Sequence, residues 1–443
     1  MYSFFRRGAW IAALSLTPCV PPLLAGDTPP QDHAETPAGT LRFTVESAVA
    51  HALEANRELK AAAFVVDEAQ GRLDGAGLYP NPEVEVGAAP GVTPKSAYRL
   101  SVGVTQRFPI TDRLKLAREV SASEVAAARE EVNAVKRDLI GEVKTQAVQV
   151  LALDAEMRLL EARITLAEEA AKAARKRAGE GAESPLDSSY AELALADAKT
   201  EKTRLETAKT TALNGLKPRL GLAANTAIEI TGELPDPVAA PGPRPALTAE
   251  DSPEYRRGKI LAEGAETSVR LAEARRWGDV GVGLYGEMER ETGRAGGSDS
   301  PAGFVGIKVS VPLPLWDDNR GEVRSARARR ERLHAELASE NLRTEGASAS
   351  AWKEYAQLCE AMRPLRDELL PAARALTQRV KESRTRGEIG FIEVIRAREK
   401  EAELEKRLVA LRRDAELTHI RWETASAAHP ALKAPSGALR ASE

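Results

Sequence analysis

The sequence predicts a mainly α-helical fold with a smaller β part, built from long antiparallel helical hairpins and four amphipathic strands. Three patterns lead to this prediction: an internal repeat, strict alternation in the strand regions, and three-and-four spacing in the helical regions. The order strand, turn, long helix, glycine-rich break and second helix runs from 99 to about 221 and returns from 303 to about 428. A repeat of this size is stronger evidence for the fold than any short motif.

The repeat divides the chain into six predicted segments. We expect a signal peptide at 1–25, a flexible linker at 26–40, a first repeat at 41–231, a Pro-rich inter-repeat linker at 232–250, a second repeat at 251–428 and a disordered tail at 429–443. Each repeat should contain a helix, a β-hairpin and a long helical hairpin. In the first repeat we expect one helix from Thr44 to the Pro80 break.

The N-terminus has the pattern of a secretory signal. Arg6 and Arg7 precede the apolar run Ala9–Leu16, which is too short to span a membrane as a helix. Cleavage after Ala25 is the first expectation. The alternative is lipid attachment at Cys19, since the preceding residues partly resemble a lipobox. Either way the protein leaves the cytoplasm, and no other segment is apolar enough for a transmembrane helix.

The four strand regions alternate apolar and polar side chains over about ten residues, as tilted membrane strands do. The predicted lipid-facing residues are Val84, Val86, Leu100, Val102, Val104, Val282, Leu284, Val305, Ile307 and Val309. Four strands cannot close a barrel, and an open sheet edge is not stable in lipid. If the strands lie in a membrane, several chains must share one barrel. The alternative is a sheet packed on a soluble core, but the helices are too long to cover so small a sheet.

The first long helix should run from Arg113 to about Ala178, on the order of 100 Å at 1.5 Å per residue. Its apolar positions form a coiled-coil seam. A glycine-rich turn follows, and a returning helix begins at Pro185. The second long helix should run from Gly321 to about Arg386, kinked or split by Pro364 and Pro371.

Composition and motifs argue against most other functions. The formal net charge is -3, and the basic cluster at 324–332 contains acidic residues, so we expect no nucleic-acid partner. The five histidines and two cysteines show no metal-ligand spacing. Gly281–Gly286 matches G-x-G-x-x-G, but strand alternation continues through it. We find no catalytic constellation and expect neither an enzyme nor a cofactor.

Four stretches in the right order resemble the TolC family of outer-membrane efflux channels. They are the opening helix Leu41–Ala63, the strand entry Gly77–Ala88, the strand-to-helix turn Pro312–Val323 and the second helical turn Arg384–Glu399. The resemblance covers nearly all of 41–428. The first two stretches look most like the heavy-metal branch, the CzcC-like (cobalt-zinc-cadmium) outer-membrane factors.

The resemblance implies a homotrimer whose twelve strands form one barrel in the outer membrane of a Gram-negative bacterium, in contact with its lipid. The helical hairpins would form a tunnel across the periplasm. A periplasmic adaptor (membrane fusion) protein and an inner-membrane pump, of the RND type, would deliver substrate. Heavy-metal cations such as cobalt, zinc, cadmium or copper are the expected cargo. Drug efflux and type I protein secretion are the alternatives.

The resemblance places the functional residues in the two hairpin turns, which would form the periplasmic entrance and the adaptor contact. These residues are Gly179, Gly181, Ser184, Asp187, Gly387, Glu388, Gly390, Glu393 and Arg396. Glu393 matches a family position whose carboxylates ring the entrance and would attract cations. Arg396 stands where relatives often carry another acid, which argues against a strong cation filter. Two other classes stay open: a periplasmic coiled-coil adaptor or scaffold without membrane strands, and a secreted enzyme or metal-binding protein.

Overall fold

The structure is a computed structural model that describes residues 40–90, 96–180, 185–237, 241–245, 249–291 and 302–426. All of these ranges belong to one compact unit. The predicted signal peptide with Cys19, the turn residues Gly181 and Ser184, and the predicted tail from residue 429 lie outside the described residues. The segment boundaries proposed from the sequence remain predictions.

Within the described residues, the first half contains four helices and four strands. In chain order they are β1 (Leu41–Phe43), α1 (Val45–Ala55), α2 (Arg57–Gly75), β2 (Glu83–Pro90), β3 (Ser96–Phe108), α3 (Arg113–Gly179), α4 (Pro185–Arg219) and β4 (Ile228–Ile230). The 67-residue α3 is the longest element, and at 1.5 Å per residue it spans about 100 Å.

The second half repeats the order with different lengths. It contains α5 (Pro253–Ala274), β5 (Val280–Glu291), β6 (Ala302–Ser310), α6 (Arg320–Pro364), α7 (Leu370–Thr385) and α8 (Phe391–Ala425). A short 3₁₀ turn (Ala249–Asp251) precedes α5. A π-helical turn, Leu365–Leu369, joins α6 to α7. Pro364 and Pro371 flank this turn, and because proline has no backbone N–H the regular hydrogen-bond ladder cannot continue. The predicted split at these prolines is confirmed.

The long helices form a slender layer. Helix α3 packs against both α4 and α8, and α8 also packs against α6 and α7. The main core cluster lies where α1, α3 and β4 meet, around the fully buried Val143, Ala147 and Val150. Farther along the first hairpin the buried residues are mostly alanines, such as Ala171 and Ala174. Small side chains let two helices approach closely, which explains the low aromatic content.

Two local predictions about the first repeat were wrong. The expected continuous helix from Thr44 is interrupted at Asn56, whose backbone is extended. The Asn56 side chain is buried, accepts a hydrogen bond from the Leu59 N–H at 2.8 Å and donates one to the Arg219 carbonyl at 2.9 Å. Asn56 therefore starts a second helix as its N-cap. The sequence analysis also missed β1 and β4, which pair in parallel with Leu41 opposite Ile228.

The four longer strands form one antiparallel sheet in the order β2-β3-β5-β6. The two hairpins of the repeat therefore join through β3 and β5. Strands β2 and β6 are the outer strands of this sheet. The predicted four-stranded contribution to a larger sheet matches this topology.

Candidate functional site

The apolar residues of the sheet lie in rows across all four strands. Val84, Val104, Leu284 and Ile307 are direct cross-strand partners. Val86, Val102, Gly286 and Val305 form the next row on the same face, two residues along each strand. Leu100, Val282 and Val309 lie on this face as well, because each is two residues along its strand from a residue of these rows. All ten residues assigned to the apolar face are exposed, up to 81% for Val305, so the chain itself covers none of them.

The opposite face of the sheet is polar and ion-paired. Arg99 on β3 contacts Glu287 on β5 at 2.8 Å. Arg107 contacts Glu83 at 3.1 Å. Lys308 on β6 lies 3.8 Å from Glu85 on β2, although these are the two outer strands.

The contact between Lys308 and Glu85 defines the curvature of the sheet. In a flat sheet the outer strands would be about 14 Å apart, because neighbouring strands are 4.7–4.9 Å apart. Two side chains can meet across that distance only if the sheet curls toward them. The polar face is therefore concave and the exposed apolar face convex.

One aromatic side chain lies flat on the concave face. Tyr285 is opposite Gly103 on one side and Gly306 on the other. A Cβ atom added at Gly306 would stand 2.7 Å from the Tyr285 hydroxyl. The tyrosine ring thus occupies the space above Gly306, and any side chain at that position would displace it. The sequence analysis assigned no role to Gly306.

The first helical turn follows the expected boundaries. Helix α3 ends at Gly179, and the Glu180 N–H donates to the Lys176 carbonyl at 3.1 Å. Helix α4 begins at Pro185, the first-turn position that proline favours. Asp187 lies in the first turn of α4. Gly181 and Ser184 lie between the two helices, outside the described residues.

The second helical turn is described completely in its backbone. Gly387 has φ +78°, in the left-handed region that glycine adopts without strain. Its N–H donates to the Arg384 carbonyl at 2.9 Å, and the Glu388 N–H donates to the Ser383 carbonyl at 3.0 Å. Gly390 then caps α8 with extended backbone. This is the Schellman-type ending of a helix, followed at once by the start of the next helix.

The acidic residues of the second turn are each paired with a nearby arginine. Arg386 donates to Glu388 at 2.7 Å, and the hydrogen bonds from Arg386 and Ser383 lower the pKa of Glu388. Arg396 donates to Glu393 at 3.0 Å within the first turns of α8. The structure therefore brings Glu393 and Arg396 together, and the contacts described for Glu388 and Glu393 are with residues of the second turn and the start of α8.

Ion pairs between the two repeats also hold them together, and the sequence analysis did not predict these pairs. Lys406 on α8 donates to Glu201 on α4 at 3.0 Å, and Arg204 donates to the same carboxylate at 2.8 Å. Together these hydrogen bonds lower the pKa of Glu201 to about 2. Arg137 on α3 pairs with Glu254 on α5 in a mostly buried contact. No local pattern marks these pairs, because the partners are far apart in the chain.

Two further observations concern membranes and metals. None of the helices in the described ranges combines the length and the apolar character needed to cross a membrane. Within the same ranges, no group of three or more His, Cys, Asp or Glu side chains is arranged to hold a metal ion.

Comparisons with known proteins point to one family. A family model described as "Outer membrane efflux protein" matches residues 48–222. This match covers less than half of the chain, and the first repeat is thus similar to the outer membrane efflux proteins. This confirms the resemblance to TolC-type channels drawn from the sequence, and it agrees with the expectation that the protein is not an enzyme.

One curated relative supports this resemblance. The cobalt-zinc-cadmium resistance protein CzcC of Cupriavidus metallidurans is 26% identical over 289 residues, which are 64% of this chain and 66% of CzcC. The aligned part thus spans just under two thirds of that relative. The likeness to CzcC agrees with the heavy-metal branch suggested by the first two sequence stretches.

Solved structures share the fold of this chain. The crystal structure of CusC has a TM-score of 0.69 at 16% identity and covers 86% of this chain and 91% of CusC. The outer membrane protein VceC of Vibrio cholerae has a TM-score of 0.68 at 18% identity and covers 86% of this chain and 95% of VceC. At such identities the likeness shows the fold: long helical hairpins with a four-stranded sheet.

Proposed function

We propose that this protein is the outer-membrane channel of a tripartite efflux system. Three copies would join their four-stranded sheets into a twelve-stranded barrel, and their helical hairpins would form a tunnel through the periplasm. A periplasmic adaptor and an inner-membrane pump, of the RND type, would deliver substrate to the hairpin turns. The chain would conduct that substrate passively to the exterior.

The curved sheet is the observation that carries this proposal. Its convex face bears ten exposed apolar residues, and its concave face bears ion pairs such as Arg99–Glu287. A membrane barrel needs this arrangement, with apolar side chains toward lipid and polar side chains toward the lumen. The described part of one chain supplies four strands to this sheet, so other copies must complete the barrel.

Heavy-metal cations are the proposed cargo. The likeness to CzcC, a cobalt-zinc-cadmium resistance protein, supports this choice. Drug efflux and type I protein secretion remain alternative uses of the same conduit, because a passive channel takes its cargo from the pump and adaptor. A periplasmic coiled-coil scaffold is the alternative from a different class, since the slender helical layer alone would suit it.

The decisive experiment is single-channel recording of the purified protein in a planar bilayer, with the oligomer mass measured on the same sample. We expect trimers that give a small conductance, as an entrance narrowed at the hairpin turns would. A soluble monomer without conductance would contradict the channel and favour the scaffold. The cargo is tested separately, by the growth of a strain lacking this protein on zinc, cobalt or cadmium salts.

A further inference from the structure

The two outer edges of the sheet end in exposed apolar segments. At one edge β6 ends at Ser310, and Leu313, Leu315 and Trp316 follow. At the other edge Leu78 and Tyr79 precede β2. Trp316 is 95% exposed, the highest value among the exposed large hydrophobic residues of the described chain. A tryptophan in this state contacts almost nothing in its own chain.

Both segments lie at the same end of the sheet. Ser310 pairs with Gly281, and Gly281 pairs with Arg107. The pairing of Glu83 with Thr105 places Asn81 at the level of Arg107 if the register continues for two more residues. The chain leaving β6 and the chain entering β2 therefore stand at equal height on opposite edges.

The segment that carries Trp316 is fixed in position. On its N-terminal side Pro312 packs closely on Gly278. A Cβ atom added at Gly278 would lie 2.5 Å from the proline ring. On its C-terminal side the Asn319 side chain donates to the Ala272 carbonyl at 2.7 Å. A backbone segment held this way loses little conformational entropy when a partner covers it.

The opposite segment is fixed as well. Gly77 has φ +75° and lies so close to the Leu114 carbonyl that a Cβ would be 2.8 Å from the oxygen. The Pro80 carbonyl accepts a hydrogen bond from Gln106 at 2.8 Å. Leu78 and Tyr79 thus stand between two anchored residues, and both are 65% exposed.

The direction of the strands determines which partner can cover these residues. Strands β2, β3, β5 and β6 alternate in direction, so the next antiparallel strand beside β6 would run as β2 does. If a second copy supplies that strand, its Leu78 and Tyr79 arrive beside Trp316 of the first copy. Such a contact joins different patches on the two copies, and contacts of this type close into rings.

Membrane lipid is the other occupant to consider, since aromatic residues often lie at the membrane interface. At the inner strands the corresponding residues are Phe108, Ile110 and Trp277, which are 44% to 56% exposed, against 65% for Tyr79 and 95% for Trp316. If these residues contacted only lipid, the exposed fractions at the inner and outer strands should be similar. The excess exposure at the two outer edges favours a second copy.

We propose that Trp316 and Leu315 of one chain pack against Leu78 and Tyr79 of the next copy. The contact would lie at the end of the sheet where β6 of one copy ends and β2 of the next begins. The inference rests on the proposed shared barrel and specifies its periplasmic-side contact. Trp and Tyr are frequent hot-spot residues of protein interfaces, which suits this role.

Cysteine cross-linking tests the contact. Trp316→Cys and Tyr79→Cys are placed in two differently tagged copies that are expressed together and oxidised mildly in the membrane. We expect a covalent dimer containing both tags, and a ladder up to trimer when one chain carries both changes. Each single variant, expressed alone, measures the background of cross-links that involve the native Cys19 and Cys359. The matched control pairs Tyr79→Cys with Trp277→Cys, at the same end of the sheet but on an inner strand, and should give no such product.

The outcomes separate the contact from the channel. A conducting trimer without the cross-link, checked also with the pair Leu315→Cys and Leu78→Cys, would overturn the contact alone. Quenching of Trp316 fluorescence by brominated lipid in that trimer would then assign the residue to lipid. A monomer without conductance would overturn both the contact and the proposed channel.

Discussion

Arg396 donates a hydrogen bond to Glu393 at 3.0 Å, one turn along the same helix, in the segment that follows the second hairpin turn. Both side chains are largely exposed, so the contact itself stabilises the fold little. In the proposed trimer each copy would contribute a cation beside each carboxylate, so the effect of the pair would be electrostatic. A ring of Glu393 side chains would attract cations much more strongly without that neighbour.

The first prediction follows from this pair. Arg396→Gln should make the channel clearly more cation-selective, and Glu393→Gln should shift it toward anions. The measurement is the reversal potential in a tenfold salt gradient. Arg379→Gln, on the exposed face of α7, is the control and should leave the selectivity unchanged. Equal reversal potentials in all variants would exclude Glu393 and Arg396 from the conducting path.

The second prediction concerns the two faces of the sheet. Val102→Lys should impair insertion, since a lysine on the lipid face near the bilayer midplane costs about 2–4 kcal/mol. Ser101→Lys should be tolerated, because the neighbouring position is on the concave face opposite Glu287. Heat-resistant trimer in outer-membrane fractions is the readout. If both variants assembled equally, the assignment of faces would be wrong.

The third prediction concerns Glu201 and its pH dependence. The folded-state pKa of about 2 is below the ordinary value of 4.5, so the paired carboxylate stabilises the fold above pH 4.5. This contribution is lost as the pH falls from 4.5 through about 2. Glu201→Gln should therefore lower the free energy of unfolding by about 0.2–1 kcal/mol at pH 7.

Thermal unfolding at a series of pH values checks this prediction. The difference between wild type and Glu201→Gln should shrink steadily below pH 4.5. Lys406→Gln should remove part of the same contribution, and the double variant should lose less than the sum of the two changes. Strict additivity would mean that the link between α4 and α8 has no energetic role.

The fourth prediction concerns the glycine of the second turn. Gly387→Ala forces a side chain into a left-handed backbone, which costs about 1–2 kcal/mol, so the turn should loosen. We expect faster amide hydrogen exchange over 383–393 and weaker efflux in cells, with the trimer intact. Gly390→Ala is the matched control, since its φ is −74° and no atom obstructs the new Cβ. Normal exchange in Gly387→Ala would contradict the turn geometry.

Much of the fold could be predicted because its patterns are local. The alternation through Val102 and Val104 gave the strand faces, and the spacing of Val143, Ala147 and Val150 gave the helical seam. The break at Asn56 was missed because its cause is partly remote: the side chain bonds the Arg219 carbonyl at the end of another helix. The short β1 strand was missed because three residues carry no measurable alternation.

The candidate site likewise combines features that local sequence predicts with features that depend on remote contacts. Gly387 and Gly390 were found from sequence because glycines punctuate a helical pattern, whereas the role of Gly306 depends on Tyr285 in the facing strand. The pairing of Lys406 with Glu201 joins residues 205 positions apart, and local sequence cannot select one lysine among many.

The sequence by itself determined the repeat, the type of each long element and which side chains share a face, because periods of 2 and 3.6 residues are properties of the local backbone. The tertiary structure decided how those faces are used. The curl that brings Lys308 to Glu85, and the fixed segments that hold Trp316 and Tyr79 at opposite edges, arise from contacts between distant parts of the chain. Such contacts depend on three-dimensional packing, and no local period encodes them.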